Sequence, residues 1–389
     1  MVLSIYIQAT IVGWQVYELT NNPWDLGMVG LAEAIPSIVV ALYAGHLADN
    51  FERKMIIQIS LFFLFICSFL LWTFTYHLNF LLINYSAYPI FIVIFLSGIA
   101  RGFISPAIFG FVTQLLPREK YPESAAWMGT SFQAGAVLGP ALGGLVYAQF
   151  GIGAAYLLDA FFMGFPFVVL LFVPPRPLPK KTRQESLVES LFAGLRFVKT
   201  QKLMLGAMSL DMFAVLFGGA TALLPMFAKD ILHVDSDGLG YLRAAPSMGA
   251  FFVGYFLTRF PPMKHSGLWL IGAVVGFGLS MVLFGMSENY VLSLAALFFG
   301  GGFDSISVVI RGTIMQTMTP EDMRGRVSAI NKIFIGSSNE IGAFESGVTA
   351  SWFGPVGSVV GGGLATIAVV VATLIWVPEM KKLRLSDWT

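Results

Sequence analysis

The chain of 389 residues is 56% hydrophobic and only 12% charged, with a formal net charge of +1. Soluble globular domains carry about 25% charged residues, so this composition excludes a water-soluble domain and places the chain in a bilayer. The near-neutral balance carries no signal for nucleic acid, and the single cysteine, Cys67, excludes a disulfide framework and a cysteine-based metal site.

Scanning along the chain for apolar runs of about 20 residues, the length of a helix crossing a ~30 Å hydrocarbon core, predicts spans at 1–20, 26–47, 55–76, 88–111, 125–150, 153–173, 203–228, 238–259, 268–286, 290–314, 327–353 and 356–377. The first runs straight into WQVYELTNNP with neither a basic leader nor a small-residue cleavage site, so no cleaved signal peptide is expected. Spans two and three are joined by the charged decapeptide GHLADNFERK, Gly45 to Lys54, and span five carries GAVLGPALGG, residues 135–144. Pro174 to Lys202 opens with PPRPLPKKTR and continues in an amphipathic stretch, Ser186 to Thr200, expected on the inner membrane surface. The predicted fold is all-α and polytopic, with twelve transmembrane helices. Allocating alternate loops to opposite sides gathers most of the 23 Lys and Arg on one face. By the positive-inside rule that face is cytoplasmic, as are both termini.

The two halves repeat. GLAEAIPSIVVALYAGHLAD (30–49) matches GYLRAAPSMGAFFVGYFLTR (240–259), keeping Gly30 with Gly240, Ala34 with Ala244, Pro36 with Pro246, Ser37 with Ser247 and Leu47 with Leu257. Further on, an offset of 203 aligns Pro117 with Pro320, Gly139 with Gly342 and Gly144 with Gly347. This predicts an N-terminal six-helix bundle at 1–173, a linker at 174–202, a C-terminal bundle at 203–377 and a tail at 378–389. Leu203 lies further before Pro246 than Met1 lies before Pro36, which predicts a first span shortened at its cytoplasmic end.

Small residues let helices approach closely. Gly45 and Ala48 supply this at the first inner turn, where Asp49 is placed to accept hydrogen bonds at a neighbouring helix N-terminus and Arg53 or Lys54 to pair with acids. In span five, Gly135, Gly139, Gly143 and Gly144 make a flat face, and Pro140 frees a carbonyl and can bend the helix.

Ionisable groups inside spans cost at least about 2.5–3.5 kcal/mol each at the bilayer centre and face a cavity or a partner. Here they are Glu33, Arg101, Asp159, Asp211, Arg243, Asp304, Arg311, Lys332, Glu340 and Glu345. The repeat makes Glu33 the mate of Arg243, and Arg101 the mate of Asp304, with opposite sign in each case. Asp159 falls close to the outer end and is not ranked.

With GHLADNFERK, the span-four stretch SGIARG…SPA, GAVLGPALGG and PEDMRGRVSAIN ahead of span eleven, the chain resembles the major facilitator superfamily along its whole length. Within it the likeness is to the drug- and siderophore-exporter branch, which includes enterobactin and macrolide efflux proteins. Asn50, Glu52, Ser105 and Arg259 depart from the usual pattern. The resemblance implies two pseudo-symmetric bundles with spans one, four, seven and ten around a central cavity, which places Arg101, Asp211, Asp304 and Arg311 there as cavity and proton-coupling residues. It implies that Gly45, Asp49, Arg53 and Lys54 latch the cytoplasmic side, and that Gly135, Gly139, Pro140, Gly143 and Gly144 bend span five between the halves, as in antiporters. Glu33, Arg243, Lys332, Glu340 and Glu345 are expected to pair at that interface. For Asp211 and Asp304 two readings stand, a proton-exchanging switch and a permanent salt bridge. Burial favours a neutral acid and a nearby guanidinium a carboxylate, so a change of neighbours between states would move a proton.

No phosphate-binding loop is present, since Gly300 to Gly302 lack the lysine, so the expected energy source is a proton gradient and no cofactor. The expected function is proton-coupled efflux of a small amphipathic molecule by a monomer in the bacterial inner membrane, with solute, protons and lipid as its partners and no nucleic acid. Symport into the cell is the closest alternative. An enzyme is not expected, because His46, His77, His233 and His265 are scattered at span ends or in loops, and a non-transporting receptor would leave the buried charges idle. Substrate class stays open: Arg101 and Arg311 suit an anionic or catecholate-like ligand, Asp211 and Asp304 a cation.

Overall fold

The computed structural model describes residues 1–175 and 187–387. Its helices are α1 (Val2–Thr20), α2 (Pro23–Asn50), α3 (Arg53–Tyr76), a short α4 (Asn79–Tyr85), α5 (Tyr88–Leu115), α6 (Tyr121–Leu171), α7 (Leu187–Thr200), α8 (Lys202–Gly218), a single turn α9 (Leu224–Met226), α10 (Ser236–Arg259), α11 (Ser266–Met286), α12 (Tyr290–Met318) and α13 (Arg324–Trp376). Eight apolar stretches are long enough to cross a membrane. Helices α1 and α10 fall just short because Gln8, Thr10 and Gln15 dilute the first, and Asp237 and Arg243 the second. Local chemistry sets the ends. Asn22 caps α2 by accepting the Trp24 amide, with Pro23 in the first turn, and Asn289 caps α12 by accepting the Leu292 amide.

Two helices are too long for one crossing, and each is broken at a single glycine: Gly151 with φ 81° in α6 and Gly354 with φ 76° in α13. The packing shows that the chain doubles back there. Along α1, Val2, Tyr6 and Ile7 meet Gly135, Gly139 and Gly143 in ascending order, whereas Met1 and Ser4 meet Phe162 and Asp159 in descending order. Likewise Val215 and Gly219 of the α8 region meet Gly342 and Ser346, while Phe217 and Ala214 meet Gly362 and Thr366 on the return. Counting both arms of α6 and α13, the helices make twelve crossings in the predicted order. Gly151 and Gly354 are related by the 203-residue offset, and their backbone lies in a region open essentially to glycine alone. Gly151→Ala and Gly354→Ala are therefore each expected to cost about 1–3 kcal/mol, read as a lower unfolding temperature in detergent; an unchanged temperature in both would contradict the strain.

The chain forms two compact units, one of Met1–Thr182 with Leu224–Ala244 and the other of Arg183–Leu223 with Ala245–Thr389. In the first, α1, α3, α5 and the return arm of α6 enclose a core around Ile7, Ile11, Leu71, Ile90 and Tyr156. In the second, α8, α11, α12 and α13 bury Met204, Met208, Leu270, Ile310 and Ile314. The repeat is visible in matching contacts. Gly98 of α5 lies against Glu33 and Pro36 of α2, and Gly301 of α12 against Pro246 of α10. In both, a missing side chain lets two backbones touch. Outward-facing Ile83, Phe172 and Ile375 are more than three-quarters exposed, as an apolar surface bathed in lipid requires. Of the predicted linker, 176–186 lies outside the described residues; α7 packs Gly194 against the Arg326 backbone and buries Val198.

Candidate functional site

At the first inner turn, only Phe51 and Glu52 separate α2 from α3. The Arg53 guanidinium reaches across to α5 and donates to the Gly110 carbonyl at 2.7 Å, in space that any side chain at 110 would fill. Lys54 is partly buried beside it in sequence. Gly45 lies within α2, and the Asp49 side chain lies outside the described residues.

The span-five motif has two working faces, both within the first unit. Gly135, Gly139 and Gly143 seat α1 through Val2, Leu3, Tyr6 and Ile7. Pro140 and Gly144 meet the first turns of α10: Gly240 lies against the Pro140 carbonyl, and a Cβ on Gly144 would strike the Ser236 carbonyl. The Ser236 hydroxyl donates to the Gly144 carbonyl at 3.2 Å. At the same end of the unit, Tyr17 donates to Asp230, Lys229 donates to Asn21 at 3.0 Å, and Tyr147 donates to Glu18 at 2.5 Å.

Three intramembrane charges of the first unit, Glu33, Arg101 and Asp159, form a connected chain. Arg101 of α5 is ion-paired with Glu33 of α2 and donates to the Gln8 amide oxygen at 2.6 Å. Gln8 in turn donates to Asp159 at 3.3 Å, and Ser4 donates both to the Asp159 carboxylate and to its main-chain carbonyl. Asp159, unranked from the sequence, is completely buried. One signal for it was available. Ser4, Gln8 and Gln15 form a polar stripe along α1, all buried, and such a stripe inside an apolar run requires a polar partner. Arg243 stands apart from this chain. It is partly buried against the bare Cα of Gly13, and it joins no ion pair among the described residues.

In the second unit, α8 and α12 bring together Asp211 and Arg311, 2.5 Å apart and both under 10% exposed. Arg311 also donates from Nε to Ser307 at 3.2 Å, one turn back on its own helix. Asp304, a further turn along the same face, lines one small cavity with Asp211, Ser307 and Phe303, closed by Ala273, Val274 and Phe277 of α11. Its volume is about 10 Å³, roughly one water. Asp304 feels the Arg311 charge but forms no ion pair of its own among the described residues. Two carboxylates therefore share one guanidinium in a nearly dry place. Glu340 and Glu345 are partly buried on α13, and the Lys332 side chain lies outside the described residues.

The family model described as Major Facilitator Superfamily matches residues 1–343. Curated relatives named enterobactin exporter EntS, from Shigella boydii, Escherichia coli and Escherichia fergusonii, are 26% identical over 98% of this chain and 90% of their own length. A solved peptide transporter POT superposes with a TM-score of 0.73 at 11% identity, covering 98% of this chain and 93% of its own. A solved D-xylose–proton symporter gives 0.69 at 14% identity over 99% of both. At such identities these two structures speak for the fold alone. The doubled six-helix architecture and the family match over most of the chain together establish that the protein belongs to the major facilitator superfamily of membrane transporters.

Proposed function

We propose that the protein is a proton-coupled exporter of a small amphipathic molecule, working by alternating access as a monomer in the bacterial inner membrane, with both termini cytoplasmic and no cofactor beyond the proton gradient. The observation that carries this reading is the charge count in the second unit. With Asp211 and Asp304 both ionised beside Arg311, the cluster holds one surplus negative charge in space for about one water. Away from bulk water such a charge is costly, and a single proton removes it. Protonation would also weaken the Asp211–Arg311 pair that joins α8 to α12, which gives the proton a mechanical consequence. One proton moving down 100 mV releases about 2.3 kcal/mol, sufficient for roughly a fifty-fold gradient of a neutral solute. The direction of transport rests on the relatives, which are named as exporters.

The test is proton flux in proteoliposomes under a pH gradient, with macrolides, catecholate siderophores and lipophilic cations offered in turn to the wild type, Asp211→Asn and Asp304→Asn. Solute-dependent proton movement opposite to the solute, lost in either variant, is the expected result. Flux in the same direction would make the protein a symporter. Wild-type solute transport without proton movement would return the acid cluster to a purely structural role.

A further inference from the structure

Three arginines lie in the interior of the predicted spans, Arg259 being the last residue of its span, and the structure treats the three differently. Arg101 has Glu33 and Gln8; Arg311 has Asp211 and Ser307. Arg243 has neither an ion pair nor, at its buried Nε, a hydrogen-bond partner among the described residues. The repeat sharpens the contrast. The Glu33–Arg101 pair in the first half has Arg243 and Asp304 as its mates in the second, yet these two fall in different compact units, Arg243 in the first and Asp304, with Asp211 and Arg311, in the second.

Among the described residues, no acid of the first unit forms an ion pair with Arg243. The carboxylates of Glu18, Glu33, Asp159 and Asp230 each accept from another side chain: Tyr147, Arg101, Ser4 and Tyr17 respectively. The guanidinium rests instead on a glycine. A Cβ at Gly13 would come within 2.9 Å of its terminal nitrogen and 3.4 Å of Pro225, so α1 leaves open the space the guanidinium occupies. An arginine is always charged and presents a planar fork of donors matched to a carboxylate or phenolate. Held inside a membrane protein without a counter-charge, it is costly unless something outside the chain supplies one.

We infer that Arg243, seated on Gly13 and Pro225, is the docking point for an oxyanion, a carboxylate or phenolate, carried by the transported molecule. This rests on the reading of the protein as a small-molecule transporter and adds the chemical class of its substrate. The ligand completes the pair that the repeat leaves open, so an acidic amphipath is preferred over its neutral and cationic analogues. Asp211 and Asp304 are thereby left to protons.

The experiment is an equilibrium titration of the protein in lipid nanodiscs with three fluorescent probes of one scaffold: dansylglycine, dansylglycinamide and dansyl-ethylenediamine. No gradient is applied, so the result is independent of coupling, and Asp211→Asn is expected to keep the same preference. The wild type is expected to bind the carboxylate at least ten-fold more tightly than the amide or the amine. Arg243→Gln should abolish that preference, Arg243→Lys should retain part of it, and Gly13→Ala, which displaces the guanidinium without removing it, should weaken it several-fold. Because no acid among the described residues is ion-paired with Arg243, Arg243→Gln is expected to unfold at the wild-type temperature or above. Equal affinities of the three probes for the wild type, absence of binding by all of them, or a preference surviving in Arg243→Gln would each overturn the inference. Absence of solute-dependent proton flux in the wild type, with the carboxylate preference intact, would overturn the coupling alone.

Discussion

Arg311→Met is expected to abolish transport and to destabilise the second unit by about 3–5 kcal/mol, the usual cost of removing one member of a buried ion pair. The reason is the company Arg311 keeps. Its guanidinium is ion-paired with Asp211, 2.5 Å away, and its charge is also felt by Asp304. Methionine keeps the apolar stem but leaves two carboxylates around a cavity of about 10 Å³, too small to hydrate them. The double variant Arg311→Met with Asp211→Asn removes charge of both signs and should recover most of the stability while transport stays lost. Thermal unfolding in detergent and solute flux in proteoliposomes separate the two effects, and a double-mutant cycle gives the coupling between the partners. A single Arg311→Met variant that keeps more than about a tenth of wild-type flux would contradict this view of the cluster.

Gly144→Ala is expected to lower transport at least ten-fold, whereas Gly143→Ala, the same chemical change one residue earlier, should leave it within about two-fold. A methyl on Gly144 meets backbone, the Ser236 carbonyl and the Gly240 main chain, which has no side-chain end to swing aside. On Gly143 it meets Ile7 at 3.3–3.4 Å, where a shift of a few tenths of an ångström suffices. Overpacking of this kind costs typically about 1–3 kcal/mol, here concentrated on the seating of Leu224–Ala244 against α6. A cysteine at Asp237 reports it directly: maleimide labelling should rise in Gly144→Ala and not in Gly143→Ala. The one native cysteine, Cys67, is buried and adds little background. Equal labelling and equal transport in the two variants would remove the special role of Gly144.

The crossings and their order were legible because they depend on quantities that a single chain displays: apolar length, helix punctuation and an internal repeat. Gly98 and Gly301 show why the repeat is a reliable guide. Both lie where one backbone needs to touch another, and both meet a proline at matched positions, Pro36 and Pro246. The partners of the charges were less legible. Symmetry relates Glu33 to Arg243, but a salt bridge follows which helices touch, and α2 touches α5, so Glu33 goes to Arg101. Asp159 was hidden for the same reason, since the donors that hold it, Ser4 and Gln8, lie 155 and 151 positions away on α1. The place of Leu224–Ala244 with the first unit follows from Gly144 and Gly240 offering bare backbone to each other. A hydropathy pattern, which scores residues within one segment, contains no term for such a contact.

The discontinuity of the first unit bears on how the protein is made. Ribosomes deliver roughly 5–20 residues per second, so several seconds separate the emergence of Thr182 from that of Ala244, the residue that completes the unit. During that interval the glycine-rich face around Gly144 is already inserted but has nothing to cover it. A gene cut in the linker would therefore yield an amino-terminal fragment with a permanently bare surface, one that needs its carboxy-terminal counterpart in the same membrane to be spared from quality control.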